Sequence, residues 1–347
     1  MTKTMNAHVI SAHGQRPSFQ AVAIPMPGPG EVLIKVAACG VCHSDIHAID
    51  GDWAPPSVLP LIPGHEVTGH VVAHGPGVTA PTIGQAVGAA WLASACGQCE
   101  ACLNGMETIC PEAEATGYTR DGGYGEYMVA RADFLALIPP GIDLVRMAPV
   151  LCAGVTTYRG LKNGGARPGQ FVGVVGVGGL GHIAIQYAKA MGSRVVAVDL
   201  DPAKLDLART LGAEFTIDAR EGPEAVRAAT QGGCHAVLVT ATAPHAFEQA
   251  IDMTRAAGTT VFIGIPPTDK DLIRTSIIGL VNGEKRVRGS NVGTRADLRE
   301  AVEFAARNLV VPHVEPVPFR QAAEALERLR AGQVSGRLVL TMAGAGA

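Results

Sequence analysis

The chain has 347 residues, 47% of them hydrophobic and 17% charged, with a formal net charge of -3. That length supplies two domains with large cores. The balance excludes a disordered or fibrous chain and gives no electrostatic reason to expect nucleic acid or an anionic membrane as partner. With 43 glycines and 23 prolines the sequence suits an α/β protein with many tight turns better than a helical bundle.

Residues 1–8 contain no continuous apolar run, which reads as no signal peptide. No run of about eighteen apolar residues suggests a spanning helix. The expected location is therefore the cytoplasm. There, eight cysteines argue for metal or thiol chemistry over a disulfide framework.

Residues 1–40 read as strands and turns, with a β-rich segment at 31–38 behind a proline–glycine turn at 25–30. A dense polar loop follows, Cys39-Gly-Val-Cys42-His43-Ser44-Asp45-Ile-His47. No ordinary core or surface segment needs that mixture. Read together with Gly64-His65-Glu66 and Leu151-Cys152-Ala153, it suggests an open zinc site of two Cys and one His. Three protein ligands leave the fourth position to water or substrate. The alternative is that Cys42 and Cys152 are buried small apolar groups and His65 a loop histidine. Gly51-Asp52-Trp53 comes next, then a proline-rich stretch to residue 63 and a strand at 67–72.

Residues 96–110 carry the most specific signal, Cys96-x2-Cys99-x2-Cys102-x7-Cys110. Four thiolates from one short lobe suit a closed, tetrahedral, structural zinc, whose binding supplies local folding free energy. A disulfide pair or an iron–sulfur cluster are the competing readings, the latter with different usual spacings.

Residues 170–175 read as a buried strand. The turn Gly176-Val-Gly178-Gly179-Leu180-Gly181 follows, then a helical repeat at 180–191 and a strand at 194–198 that ends on Asp199. Glycines in such a turn let backbone approach a pyrophosphate, and the helix N-terminus favours its charge. Asp199 lies 18 positions after Gly181. There it is expected to bind ribose hydroxyls and repel a 2′-phosphate, which favours NAD over NADP. Asp201-Pro202 opens a helix running to residue 211. Strand 236–240, helix 246–255 and strand 259–263 continue the alternation, which implies a parallel sheet covered by helices. After residue 289 come helices 295–308 and 319–331, a last strand at 337–340 and an Ala/Gly tail from residue 343.

Taken together, these stretches resemble the zinc-dependent medium-chain alcohol dehydrogenases (medium-chain dehydrogenase/reductase group) of the microbial, tetrameric type. The likeness spans essentially the whole chain and includes Val292-Gly-Thr-Arg-Ala-Asp-Leu298. It implies an α/β protein with a GroES-like β-rich catalytic domain (1–153 and 290–347) and a Rossmann parallel-sheet NAD domain (154–289), with the active site in the cleft. It implies a catalytic zinc on Cys42, His65 and Cys152, and a structural zinc on Cys96, Cys99, Cys102 and Cys110. Cys39 and Cys234 are left to packing.

The reaction implied is NAD-linked oxidation of alcohols at the open zinc, and the reverse reduction of aldehydes. Ser44 takes the alcohol proton and His47 passes it outward. Asp45 holds His65. Glu66 either approaches the zinc from behind or partners a buried cation. His43 and Arg337 match pyrophosphate positions, and Lys204 one near the adenosine ribose, unless they are solvated surface charges. Trp53 and Trp91 match positions lining the substrate pocket, where two bulky rings favour short unbranched primary alcohols; core packing is the alternative. Larger aldehydes or secondary alcohols, or a non-catalytic nucleotide-binding role, are the competing functions. Gln85-Ala86 and Val67 depart from the common pattern of relatives without removing a ligand.

Overall fold

The computed structural model describes residues 3–342 apart from Pro267; the expected Ala/Gly tail lies outside the described residues. The chain divides into two compact units. The first comprises residues 1–152, 293–306 and 312–347, and the second residues 153–292 and 307–311.

The first unit is built on the strand Glu31–Gly40. Val32, Ile34 and Val36 are buried and Lys35 is exposed, the period-2 alternation of a half-buried strand. It pairs antiparallel with Val67–His74, Tyr127–Arg131 and Arg337–Thr341 in a seven-stranded sheet. Its buried residues join Ile10, Leu61, Val71, Leu338 and Leu340 in one apolar core. The strand delivers the chain directly to Cys42, where the expected loop is instead the helix His43–Asp50. Short, polar and histidine-rich, this helix lacks the apolar repeat that marks a helix in sequence. It is set by its cap: the Cys42 N–H donates to Asp45 in a capping box, and Gly51 closes it in the left-handed conformation.

The second unit is a six-stranded parallel sheet. Its order is Phe215–Asp218, Arg194–Asp199, Phe171–Val175, Cys234–Val239, Thr254–Phe262 and Arg286–Gly289. Phe171–Val175 is buried throughout, as a strand covered on both faces must be. The chain runs outward on one side of it and then returns to build on the other, so its carboxyl end is the switch point of the sheet. The Gly176–Gly181 turn and the helix Gly181–Ala190 lie there.

One expected helix shifts here and another is found where none was expected. The helix expected at 246–255 is Pro244–Met253, because Thr254 already opens the next strand. The helix Ala153–Gly164 carried no clear signal. Its glycines face the sheet: a Cβ on Gly160 would lie 2.6 Å from Leu238 Cδ1, and one on Gly164 2.9 Å from the Ala236 Cβ. The helix lies flat on the sheet by giving up the residues that would make its apolar stripe visible.

The nucleotide turn separates two kinds of glycine. A Cβ on Gly181 would sit 1.8 Å from the Gly176 carbonyl oxygen, whereas one on Gly178 meets nothing within 4 Å. Gly181→Ala is therefore expected to destabilise the fold by about 1–3 kcal/mol, the usual cost of overpacking. Gly178→Ala leaves the urea midpoint unchanged. Equilibrium unfolding of the two variants checks this.

Candidate active site

In the first unit, one atom each from Cys42, His65, Glu66 and Cys152 lies within 4.8 Å of every other, and all four residues are buried. Cys42 comes from the helix cap, His65 and Glu66 precede the strand Val67–His74, and Cys152 follows a 3-10 turn ending at Leu151. Close backbone packing makes room for the group. Gly64 has φ +98° and a Cβ there would strike Tyr124; a Cβ on Gly40 would lie 1.8 Å from Glu66 Oε2.

The polar contacts orient these donors. His65 Nδ1 lies 3.0 Å from Asp45 Oδ1, and Nε2 lies 3.3 Å from the Cys152 sulfur. A carboxylate only accepts, so Nδ1 carries the hydrogen and the Nε2 lone pair faces the thiols. Asp45 Oδ2 accepts from the Cys42 N–H at 2.9 Å and from the Tyr124 hydroxyl at 3.0 Å. Glu66 Oε1 is ion-paired with Arg337, and Glu66 Oε2 has no partner among the described residues. Burial pushes the Glu66 carboxyl up to about 7 against the pull of Arg337. The Cys42 thiol is held well below its ordinary value, first by its hydrogen bond with Cys152. Two sulfurs and a nitrogen this close, dry and already oriented fit a zinc ion, whose ligand atoms lie about 2.0–2.3 Å from the metal.

A second donor group forms in the lobe at 96–110. The sulfurs of Cys96, Cys99, Cys102 and Cys110 lie within 4.8 Å of one another. Cys96 is 4.0 Å from Cys102 and 3.6 Å from Cys110. Those gaps exceed a disulfide bond and match the edge of a zinc–sulfur tetrahedron, about 3.8 Å for bonds near 2.3 Å. Backbone N–H groups aim at the sulfurs: Cys99 donates to Cys96 Sγ and Cys96 to Cys110 Sγ. Those of Gln98 and Cys99 bring the Cys96 thiol down to about 7. The Val292–Leu298 stretch acquires a role here. Thr294 and Asp297 cap the helix Arg295–Ala306, and Arg295 clamps Glu107 of the lobe through its backbone N–H and its side chain.

The other residues singled out in the first unit divide into two groups. Ser44 Oγ lies 3.7 Å from the Cys42 sulfur. His43 opens the same helix with its side chain exposed, and desolvation by the surrounding protein lowers its basicity. Arg337 is buried against Glu66, the cation partner envisaged as the alternative for that carboxylate. His47 bonds Asp52 and stacks on Trp53 at 4.4 Å. Trp53 meets Trp91 at 6.1 Å, and Trp91 stands edge-on to His65 at 5.0 Å. The tryptophans thus form one aromatic cluster beside the donor group.

Tyr118 completes that cluster, 5.9 Å from Trp53 and 5.6 Å from Trp91, and Tyr124 anchors Asp45. Both tyrosines escaped the sequence reading. The glycines around them were the available signal: a Cβ on Gly122 would lie 2.0 Å from the Gly64 carbonyl oxygen, so this segment packs backbone to backbone on the His65 loop.

In the second unit, Gly176 takes φ +92° and turns the chain into Gly178, Gly179 and Leu180 ahead of the helix. Asp199 ends its strand and accepts from the Val177 N–H at 2.6 Å and the Asp201 N–H at 3.0 Å. Its carboxylate is thereby fixed beside the turn. Lys204 sits half-buried in the first turns of the helix Pro202–Thr210.

Comparison with known proteins agrees with this geometry. The alcohol dehydrogenase GroES-like domain matches residues 28–140, and the zinc-binding dehydrogenase family matches residues 179–307. An alcohol dehydrogenase of Geobacillus stearothermophilus is 47% identical over 339 residues, 97% of this chain and 99% of that one. The structure of acetophenone reductase from Geotrichum candidum in complex with NAD superposes with a TM-score of 0.86 at 30% identity, covering 98% of each chain. A zinc-binding dehydrogenase from Sinorhizobium meliloti bound to NADP gives a TM-score of 0.90 at 27% identity, covering 98% of this chain and 99% of that one. The chain belongs to the zinc-dependent medium-chain alcohol dehydrogenase family.

Proposed function

We propose that the protein oxidises short primary alcohols to aldehydes with NAD, and catalyses the reverse reduction, at a zinc held by Cys42, His65 and Cys152. One observation carries this reading: two thiols and an imidazole converge in a dry group with the far imidazole nitrogen already engaged by Asp45. When bound, zinc supplies a Lewis acid for the alcohol oxygen, and the nicotinamide accepts the hydride. A second zinc, on Cys96, Cys99, Cys102 and Cys110, has a structural role.

The chain's own residues then have these tasks. Asp45 keeps His65 in the Nδ1-protonated form. Ser44 accepts the hydroxyl proton, since a hydroxyl both donates and accepts. His47 carries that proton toward solvent, since an imidazole has one nitrogen to accept a proton and another to hold one. Glu66 and Arg337 neutralise each other behind the donors. That favours the reading of Glu66 as partner to a buried cation, and it gives Arg337 a charge already engaged within its own unit. The backbone of Gly176, Gly178, Gly179, Leu180 and Gly181 cradles the pyrophosphate, to which His43 adds a donor, and Lys204 lies toward the adenosine ribose. Asp199 accepts from the ribose hydroxyls and repels a 2′-phosphate. A non-catalytic role would not require the open donor group to be intact. Among the described residues no helix is long and apolar enough to cross a membrane. By family likeness we assign a cytoplasmic homotetramer.

Zinc-replete protein is expected to carry about two zinc ions per chain, one for each donor group, and Cys42→Ala about one, with NADH formation from ethanol abolished. Loss of both ions, or unchanged turnover, would overturn the assignment. Asp199→Ala is expected to raise the KM for NAD about tenfold, the equivalent of roughly 1.4 kcal/mol, and to admit NADP; parallel initial rates with the two dinucleotides check it. Trp53→Leu is expected to shift preference from ethanol and 1-propanol toward benzyl alcohol. Relative rates across ethanol, 1-propanol, 2-propanol and benzyl alcohol that match the parent would count against the narrow pocket.

A further inference from the structure

A second carboxylate–imidazole pair lies at the rim of the aromatic cluster. His47 Nδ1 is 2.9 Å from Asp52 Oδ1 and 3.0 Å from Oδ2. The imidazole is 16% exposed and the carboxylate 42%, so the ring is sheltered while the acid stays in contact with solvent. A carboxylate offers only acceptors, so the contact requires the hydrogen on Nδ1 and leaves Nε2 as the ring's one free lone pair. The ring plane is set independently, by stacking on Trp53 with 18° between the planes. The other polar groups around the pair are His43, one turn back on the same helix, and the Tyr118 hydroxyl. Arg330 binds both oxygens of Asp50 and also feels the Asp52 charge. None of these stands between His47 and Asp52.

We propose that Asp52 is a positioning residue for proton transfer. It fixes His47 in the Nδ1-protonated tautomer and stabilises the imidazolium formed when Nε2 takes up the proton released by alcohol oxidation. This rests on the reading of His47 as the outward proton carrier. Each turnover frees one proton from the alcohol hydroxyl as the hydride leaves the carbon. Nε2 forms the new N–H bond and then gives that proton to water, while Asp52 keeps accepting from Nδ1. The arrangement resembles the carboxylate that orients the base of a hydrolytic triad, but here the carboxylate is accessible and water offers a parallel route.

The test is a double-mutant cycle on the zinc-loaded enzyme, with kcat and KM for ethanol oxidation measured for the parent, Asp52→Ala, His47→Gln and the double variant. Asp52→Ala is expected to lower kcat roughly tenfold with KM for ethanol little changed, short of the 100-fold or more of a general base that water cannot replace. In the His47→Gln background the same change is expected to do nothing further. Nitrogen-15 shifts of His47 are expected to report a protonated Nδ1 in the parent and a mixture of tautomers in Asp52→Ala. Asp52→Asn, which keeps an oxygen acceptor without the charge, is expected to retain the parent tautomer at intermediate kcat.

Equal losses in both backgrounds would overturn the proposal by showing that Asp52 acts elsewhere. A parent His47 protonated on Nε2 would overturn it directly. An effect of His47→Gln without one of Asp52→Ala would overturn the role of Asp52 and leave the relay standing. No effect of His47→Gln would remove the relay itself.

Discussion

Everything around the donor group follows from the difficulty of keeping charge out of water. Cys42, His65, Glu66, Asp45 and Arg337 are all buried, and an isolated buried charge costs several kcal/mol even after relaxation. The charges cancel in sets. At the proposed zinc site, two thiolates would balance a divalent cation. Glu66 balances Arg337. One buried carboxylate, Asp45, is left over, and three donors meet it: His65 Nδ1, the Cys42 N–H and the Tyr124 hydroxyl. The same bonds fix the helix cap and the imidazole tautomer, so the solution to the charge problem is also what aims the ligands.

That solution requires backbone to run unusually close to side chains. Gly40, Gly64 and Gly122 each sit where a Cβ would strike Glu66, Tyr124 or the Gly64 carbonyl. In the second unit Gly181 does the same against Gly176. Glycine is used in both units for one purpose: to bring a main chain or a charged group to a distance a side chain would forbid. Two glycines at the turn have separable duties. Gly181 serves packing within the protein, whereas a Cβ on Gly178 would meet open space.

The sequence was most legible where chemistry and spacing coincide. The four-cysteine lobe, the glycine turn after a strand, and Asp201 as a cap are short-range patterns, and their structure is local. The parallel alternation was readable because buried strands such as Phe171–Val175 are continuously apolar. Long-range partners were not readable. Tyr124 reaches Asp45 across 79 positions, and Arg337 reaches Glu66 across 271. The helix His43–Asp50 was hidden because polar groups and a cap hold it in place of an apolar stripe. The helix Ala153–Gly164 was hidden because its sheet-facing side carries glycines. The first is a local cap without an apolar repeat, whereas in the second tertiary packing overrides the local propensity on which a sequence reading depends.

If Trp53 lines the substrate pocket and His47 carries the proton, as proposed, the aromatic cluster couples substrate size to proton movement. Trp53 lies between His47, on which it stacks, and Trp91, which in turn stands against His65. A smaller residue at Trp53 enlarges the space beside the donors, and it also removes the surface that sets the plane of His47. The Asp52 contact then carries the orientation alone, through a carboxylate in contact with solvent. Selection for a wider pocket at this position therefore acts on the relay as well as on fit. The two effects separate in their dependence on substrate: loss of fit varies with alcohol size, whereas loss of ring orientation lowers turnover by the same factor for every alcohol whose oxidation is limited by proton release.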